Sequence, residues 1–266
     1  MERKIVFCGG GNMAEGILGG FLKNNVAAKE NITVSELIPA RCDYLSSTYG
    51  VSAVSDASYA MKDAEFIVIA VLPKHLQSVT SVVKDQMGEN TTILSIVAGT
   101  TLATLEDQLG KDKKIVRIMP NTLIQSGNGH SAVCFNANID KDKKAEVLDE
   151  VLSALGQTIE LPEDMFNTFT AFSCSGPLWL YKTAESLIDA GVYCGFSRPD
   201  ATRMVIKNMI GVGMTLDAGA DATQKINAMC SPGGVTIEGM KVLEENGLKA
   251  DMMNSVIAAV KKAHQV

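Results

Sequence analysis

A chain of 266 residues that is 46% hydrophobic, 20% charged and 5% aromatic can bury a sizeable core without metal or membrane, which excludes a disordered tail, a collagen-like repeat and a mini-protein. Its 24 basic and 30 acidic residues give a formal charge of -6, so it offers no general attraction to phosphate backbones or anionic lipid, and nucleic acid and membrane surfaces are disfavoured as partners. With 23 glycines against 7 prolines, the length favours α/β architecture in two domains.

Met1-Glu2-Arg3-Lys4 precede only four apolar residues, Ile5 to Cys8, before glycines intervene. That run is too short for a secretory signal core and reads as a first buried strand. The cytoplasm is the expected compartment, in keeping with six scattered cysteines, none of them in a C-x-x-C pair.

Gly9-Gly10-Gly11-Asn12-Met13-Ala14 follows at once and fits G-x-G-x-x-A at the start of a helix. Gly9 permits a tight turn, Gly11 lets backbone approach a pyrophosphate, and Ala14 keeps the helix close to the sheet. The helix's free N–H groups and dipole then attract the anion. A second strand, Ile32-Thr33-Val34, ends near Glu36, about 22 residues past the motif, where a dinucleotide fingerprint expects an acidic residue. A carboxylate there accepts a hydrogen bond from a ribose 2′-hydroxyl and repels a 2′-phosphate, which argues for NADH over NADPH. Arg41 stands near enough in sequence to offset part of that charge.

Further β-rich runs lie at 66–71, 92–97, 114–118 and 132–135. Continuous Ile and Val mean strands covered on both faces, the mark of a parallel sheet between helices. Beyond Leu161-Pro162-Glu163-Asp164 the strand signals stop. Apolar residues recur at helical spacing instead, as in Leu180, Ala184, Leu187, Ile188 and Gly191, then Met253, Val256, Ile257 and Val260. Breaks fall at 195–199, 218–222 and 246–247. The expectation is a Rossmann-like α/β domain over 1–161 and an all-helical domain over 162–266.

In the helical half, Ser231-Pro232-Gly233-Gly234-Val235-Thr236 reads as a helix start, with Ser231 as cap and Pro232 in the first helical position. The N–H groups of Gly233 and Gly234, with the Ser231 hydroxyl, can receive a small carboxylate, and Thr236 offers a neutral donor and acceptor. His75, His130 and His264 show no metal-ligand spacing and read as surface or loop residues. Met204, Met209, Met214, Met252 and Met253 read as helix-packing residues, and Lys141-Asp142-Lys143-Lys144 and Lys261-Lys262 as solvated faces.

Four segments together resemble the pyrroline-5-carboxylate reductase family in order: the Gly9–Ala14 turn, Val116-Arg117-Ile118-Met119-Pro120-Asn121-Thr122, Ser173-Cys174-Ser175-Gly176-Pro177, and Ser231-Pro232-Gly233-Gly234-Val235-Thr236-Ile237, the most specific. The likeness spans nearly the whole chain. It implies a Rossmann domain that binds NAD(P)H and a helical domain that binds substrate and builds an intertwined homodimer, able to assemble into a decamer of five dimers. The implied reaction is reduction of a cyclic imino acid to L-proline. By the resemblance, Ser231, Gly233 and Gly234 hold the substrate carboxylate and Thr236 is the catalytic residue at the ring nitrogen. Gly9, Gly11, Asn12 and Met13 line the pyrophosphate, and Ala70, Val71 and Ala98 border the nicotinamide.

The departures carry information too. Leu72 replaces a lysine that can serve a 2′-phosphate in the family, which agrees with Glu36 in favouring NADH, although Lys74 stands nearby. Leu123, Cys174, Leu178 and Trp179 also differ from the family pattern, so a six-membered imino acid such as a piperideine carboxylate is the alternative substrate. From another class, a non-catalytic NAD-binding regulator is the alternative function. Intact Thr236 and Gly233-Gly234 stand against it.

Overall fold

The computed structural model describes residues 3–265, the side chains of residues 125 and 126 apart. Residues 1, 2 and 266, the outer ends of the two expected domains, lie outside the described residues. The chain divides after Cys174 into two compact units.

The first unit is α/β. In chain order it runs β1 (Ile5–Cys8), α1 (Asn12–Lys23), β2 (Ile32–Ser35), α2 (Pro39–Tyr49), β3 (Ser52–Val54), α3 (Ser58–Met61), β4 (Phe66–Ile69), α4 (Leu76–Gln86), β5 (Thr92–Ser95), α5 (Leu102–Leu109), β6 (Lys114–Pro120), β7 (His130–Phe135), α6 (Lys141–Glu146), β8 (Gln157–Glu160) and α7 (Phe166–Phe169). The strands form one sheet in the order β3-β2-β1-β4-β5-β6-β7-β8. Chain order reverses at β1, whose neighbours are β2 and β4, and such a switch point opens a crevice at the carboxyl ends of the strands.

Side-chain alternation along β1 explains its run of unbroken apolar residues. Ile5 and Phe7 pack on one face with Ile17, Phe21 and Phe66, whereas Val6 and Cys8 pack on the other with Ile67, Val83 and Leu105. Pairing is parallel from β3 across to β6, then turns antiparallel where Arg117 of β6 lies opposite Cys134 of β7. The link of residues 121–129 is shorter than the roughly dozen residues a parallel crossover needs, so the chain can only double back. β3 and β8 escape the sequence pattern because both lie at sheet edges with partly exposed side chains and no apolar run.

The segment after β8, read from the sequence as part of the helical half, packs on the sheet. Phe166 is 1% exposed and joins Met119, Ala132 and Cys134 in a third apolar cluster. Arg117, buried in mid-strand, pairs with Glu163 at 2.8 Å and lays its guanidinium over the Phe166 ring at 4.4 Å. A buried cation needs such a carboxylate, and that need draws residues 162–174 onto the first unit. Lys143 departs from the solvated face expected of it. Its ammonium reaches Glu146 at 2.9 Å and Glu65 at 3.3 Å, over the ring of Phe66.

The second unit is helical: α8 (Gly176–Tyr193), α9 (Arg198–Asp217), α10 (Ala222–Met229), α11 (Val235–Glu245) and α12 (Leu248–Ala263). Its breaks fall where cap chemistry places them. The Ser197 hydroxyl accepts the Asp200 N–H at 3.2 Å, the Asp221 carboxylate accepts the Gln224 N–H at 2.8 Å, and Gly247 takes φ +73° between α11 and α12. Gly191 lets α8 approach α9, since a Cβ there would stand 3.0 Å from that of Ala201. Yet α10, α11 and α12 bury no residue. Of the methionines read as packing residues, all but Met209 are exposed within the chain, with Met214 69% and Met253 55% exposed. Exposed apolar side chains in such number mark an interaction face.

Candidate active site

The glycine turn is held at the sheet's switch point. The Gly9 N–H donates to the Ser35 carbonyl and the Ala70 N–H to the Cys8 carbonyl, both at 2.9 Å. Gly9 takes φ +103°, and a Cβ there would lie 2.5 Å from the Ala70 carbonyl oxygen, so only glycine fits. Gly11 is different: its backbone is extended, no side chain caps α1, and the space around its missing Cβ is empty. The opening turn of α1 therefore presents its amino end beside open space, as an anion seat requires. Asn12 and Met13 are the first two residues of that helix, and the Met13 side chain packs against the core, leaving its backbone for a ligand.

Glu36 follows β2 and turns back onto the glycines. Its Oε2 accepts the Gly10 N–H and its Oε1 the Ile38 N–H, each at 3.0 Å. A carboxylate has about four lone-pair sites, so capacity remains for a ribose hydroxyl. Arg41, which its sequence position places beside Glu36, pairs instead with another carboxylate. Its Nε donates to the Gly10 carbonyl and its Nη2 to Glu15 Oε2, both at 2.6 Å. Glu15 Oε1 also accepts the hydroxyls of Tyr44 and Tyr49, each at 2.8 Å. Burial pushes the Glu15 carboxyl up, but the hydrogen bonds from Arg41 and the two tyrosines outweigh it and hold the group below its usual range. Burial, and then the bond to Glu15, push the Tyr49 phenol up to about 12.

A cavity of about 580 Å³ opens over this turn. It gathers Gly9, Gly11, Glu36, Ala70 and Val71 from the sequence-derived set. Ala98 is exposed beyond β5 and is not among the lining residues. Sequence reasoning missed most of the apolar wall, Ile38, Val79 and Val82 with His75, whereas Leu72, singled out there in place of a lysine, is part of it. Leu72 stands 62% exposed just past the end of β4. Such a wall suits the flat face of a heterocycle.

The carboxyl-terminal motif is built differently from the helix start read in the sequence. Ser231-Pro232-Gly233-Gly234 is a β-turn closed by the Gly234 N–H to the Ser231 carbonyl at 3.1 Å, with Gly233 at φ +67°. Proline second and a left-handed glycine third are the signature of type II. α11 begins only at Val235, with an extended Gly234 before it and no side-chain cap. Pro232 thus precedes the helix, Ser231 does not cap it, and the Gly234 N–H is committed inside the turn. The donors left for an anion are the Gly233 N–H and the first N–H groups of α11, from Val235 and Thr236, alongside the Ser231 hydroxyl. Gly234 has its own constraint, because a Cβ there would stand 2.5 Å from Ser231 Oγ. Thr236, second residue of α11, is exposed.

Asn121 is 3% exposed, and its Oδ1 accepts the N–H groups of Leu123 and His130, both at 3.2 Å, which fixes the link from β6 to β7. Among the described residues no cluster of three or more His, Cys, Asp or Glu side chains could hold a metal ion, and no helix is long and apolar enough to cross a membrane.

Comparison with known proteins supplies the family. Residues 163–266 match the family model described as pyrroline-5-carboxylate reductase dimerisation, and residues 4–99 match that of NADP oxidoreductase coenzyme F420-dependent. The chain is 34% identical over 267 residues to the pyrroline-5-carboxylate reductase of Aquifex aeolicus, covering 100% of this chain and 98% of that protein. It is 31% identical to the Escherichia coli enzyme of the same name, covering 100% and 99%. Among solved structures it is similar to the pyrroline-5-carboxylate reductase of Coxiella burnetii, with TM-score 0.90 at 29% identity over 100% of this chain and 98% of that one. It is also similar to the Plasmodium falciparum pyrroline carboxylate reductase solved with NADP bound, with TM-score 0.85 at 32% identity over 99% and 98%. With the glycine turn at the amino end, the Ser-Pro-Gly-Gly turn before α11, and identity running the length of both chains, this protein belongs to the pyrroline-5-carboxylate reductase family.

Proposed function

We propose that the chain reduces 1-pyrroline-5-carboxylate to L-proline with NADH, NADPH being the poorer hydride donor. The observation that carries this reading is the bare turn Ser231–Gly234 opening α11, with Thr236 in the helix's first turn, in a chain that also carries the dinucleotide turn on β1.

The residues present fit the dinucleotide: Gly11 stands beside open space, and Glu36 lines the same cavity. When bound, the reduced nicotinamide supplies a hydride from its C4 to the C=N carbon of the pyrroline. The chain's own part is mostly positioning. Gly9, Gly11 and the backbone of Asn12 and Met13 hold the pyrophosphate, Glu36 accepts the ribose 2′-hydroxyl, and Ala70, Val71 and Ala98 border the nicotinamide. The Ser231 hydroxyl, with backbone of the Gly233-Gly234 turn and α11, seats the substrate carboxylate. Thr236 hydrogen-bonds the ring nitrogen and orients it. A threonine hydroxyl is too weak an acid to protonate the imine, so the proton arrives on the iminium or through water. Fixing donor and acceptor near contact can supply on the order of 7 to 11 kcal/mol of barrier reduction, against a roughly 100-fold to 10,000-fold gain from one acid group.

The helical unit pairs with a second copy, because α10, α11 and α12 have no buried side chains of their own and residues 163–266 match a dimerisation model. Assembly of five dimers into a decamer follows from the family resemblance. A cytoplasmic, reducing setting suits six free cysteines.

Steady-state rates with both cofactors against pyrroline-5-carboxylate and its six-membered homologue test the reading. NADH with the five-membered ring is expected to give the highest kcat/KM. Tight NADH binding with no turnover of either imine would favour a regulator instead. Glu36→Ser is expected to relax discrimination against NADPH by roughly threefold to tenfold, the worth of one partly solvated like-charge contact. A wild type that already prefers NADPH would overturn the role given to Glu36.

A further inference from the structure

We infer that Glu15 is a specificity-determining residue for the cofactor, acting through Arg41 by withholding that cation from the 2′ position of the ribose. The inference rests on the dinucleotide reading of the cavity over the glycine turn.

Arg41 stands near the start of α2, just past Glu36, in the region from which an arginine accommodates a 2′-phosphate in dinucleotide folds. In this protein the guanidinium is drawn elsewhere. Nε is bonded to the Gly10 carbonyl, Nη2 to Glu15, and its plane lies over the Tyr44 ring at 5.0 Å from the centroid. Arg41 is not among the residues that line the cavity, whereas Glu36 is. Glu15 is itself fixed by three donors on one helix: Arg41, Tyr44 and Tyr49 all reach it from α2.

Two consequences combine at the ribose end. The Glu15 charge neutralises Arg41, leaving the Glu36 carboxylate as an uncompensated negative charge on the cavity wall. The short bonds also hold the guanidinium beneath the Gly10 peptide, where it steadies the turn for either cofactor. A neutral acceptor can also receive the two tyrosines, though more weakly than the carboxylate. The charge at position 15 suits the first turn of α1 as well, an effect common to both cofactors, and its ion pair is with Arg41.

The test is the pair of dissociation constants for NADH and NADPH, measured by titration on the full-length assembled protein. Glu15→Gln keeps the shape and an acceptor for the tyrosines but frees Arg41, so the NADPH-to-NADH affinity ratio is expected to rise by about threefold to tenfold. Adding Arg41→Ala to that variant is expected to return the ratio to the wild-type value, and Glu15→Asp, which retains the charge, to keep it there. Equal weakening of both cofactors by Glu15→Gln would show a purely structural clasp and overturn the inference. Should Glu15→Gln fail to fold, Arg41→Ala alone decides: an unchanged ratio supports withholding, while selective loss of NADPH means that Arg41 already serves the phosphate. Glu36→Ser, run in parallel, separates the two readings. If it shifts the ratio and Glu15→Gln does not, only the role of Glu15 falls; if the wild type binds neither dinucleotide, the cavity's reading falls with it.

Discussion

Gly9→Ala is expected to cut kcat/KM by at least about 100-fold, because displacing a positioning element by about 1 Å costs that much. The same substitution is expected to lower the stability of the first unit by about 2 to 4 kcal/mol. Two separate costs add. The residue sits at φ +103°, where an L side chain is strained, and its new Cβ would meet the Ala70 carbonyl oxygen at 2.5 Å and Val71 Cγ1 at 3.1 Å. Ala70 cannot recede, since its own N–H is bonded to the Cys8 carbonyl at 2.9 Å as the last rung beside β1 and β4. The turn must move instead, and the first N–H groups of α1 move with it. Thermal unfolding and NADH titration measure both effects; a variant with wild-type Tm and wild-type affinity contradicts the account. Gly11→Ala separates them, for the space around Gly11 is open. It is expected to keep the wild-type Tm while obstructing the pyrophosphate.

Thr236→Ala is expected to reduce kcat/KM by about 10-fold to 100-fold, the loss of one hydrogen bond that strengthens as the ring nitrogen becomes an amine. Thr236 is exposed near the amino end of α11, so the substitution removes little packing, and stability is expected to change by less than about 0.5 kcal/mol. NADH affinity is expected to stay at the wild-type value, and Thr236→Ser to retain most of the activity. The fall should appear chiefly in kcat, because the bond matters more in the transition state than in the bound imine. Unchanged kinetics in the alanine variant would remove Thr236 from the mechanism.

What the sequence disclosed was local chemistry. The strand, glycine turn and helix from Ile5 to Lys23 are legible because each residue there answers to its neighbours, and Glu36 is legible because its distance from the turn is set by one helix and one strand. Helix breaks at Ser197, Asp221 and Gly247 announce themselves through cap and left-handed chemistry. Long-range pairings stayed hidden. Arg117 in a strand gives no hint that Glu163 will cover it, and the commitment of Arg41 to Glu15 and Gly10 depends on two helices lying side by side. Ser231-Pro232-Gly233-Gly234 was ambiguous for another reason. Proline suits both the first helical position and the second position of a type II turn, and the φ of +67° at Gly233 decides between them. The exposed methionines of the helical unit were read as packing residues, but their cover is not in this chain, and no single-chain pattern reveals that.

One backbone-built turn is assigned to a pyrophosphate and another to a carboxylate, and the assembled protein is expected to hold a reduced nicotinamide and a cyclic imine on them. A crystal structure of the assembled protein with oxidised dinucleotide and L-proline tests it most directly. The account predicts the pyrophosphate on the first N–H groups of α1, the proline carboxylate on Ser231 and the N–H groups opening α11, and the ring nitrogen within hydrogen-bond distance of Thr236. A proline carboxylate seated on any other element would contradict it.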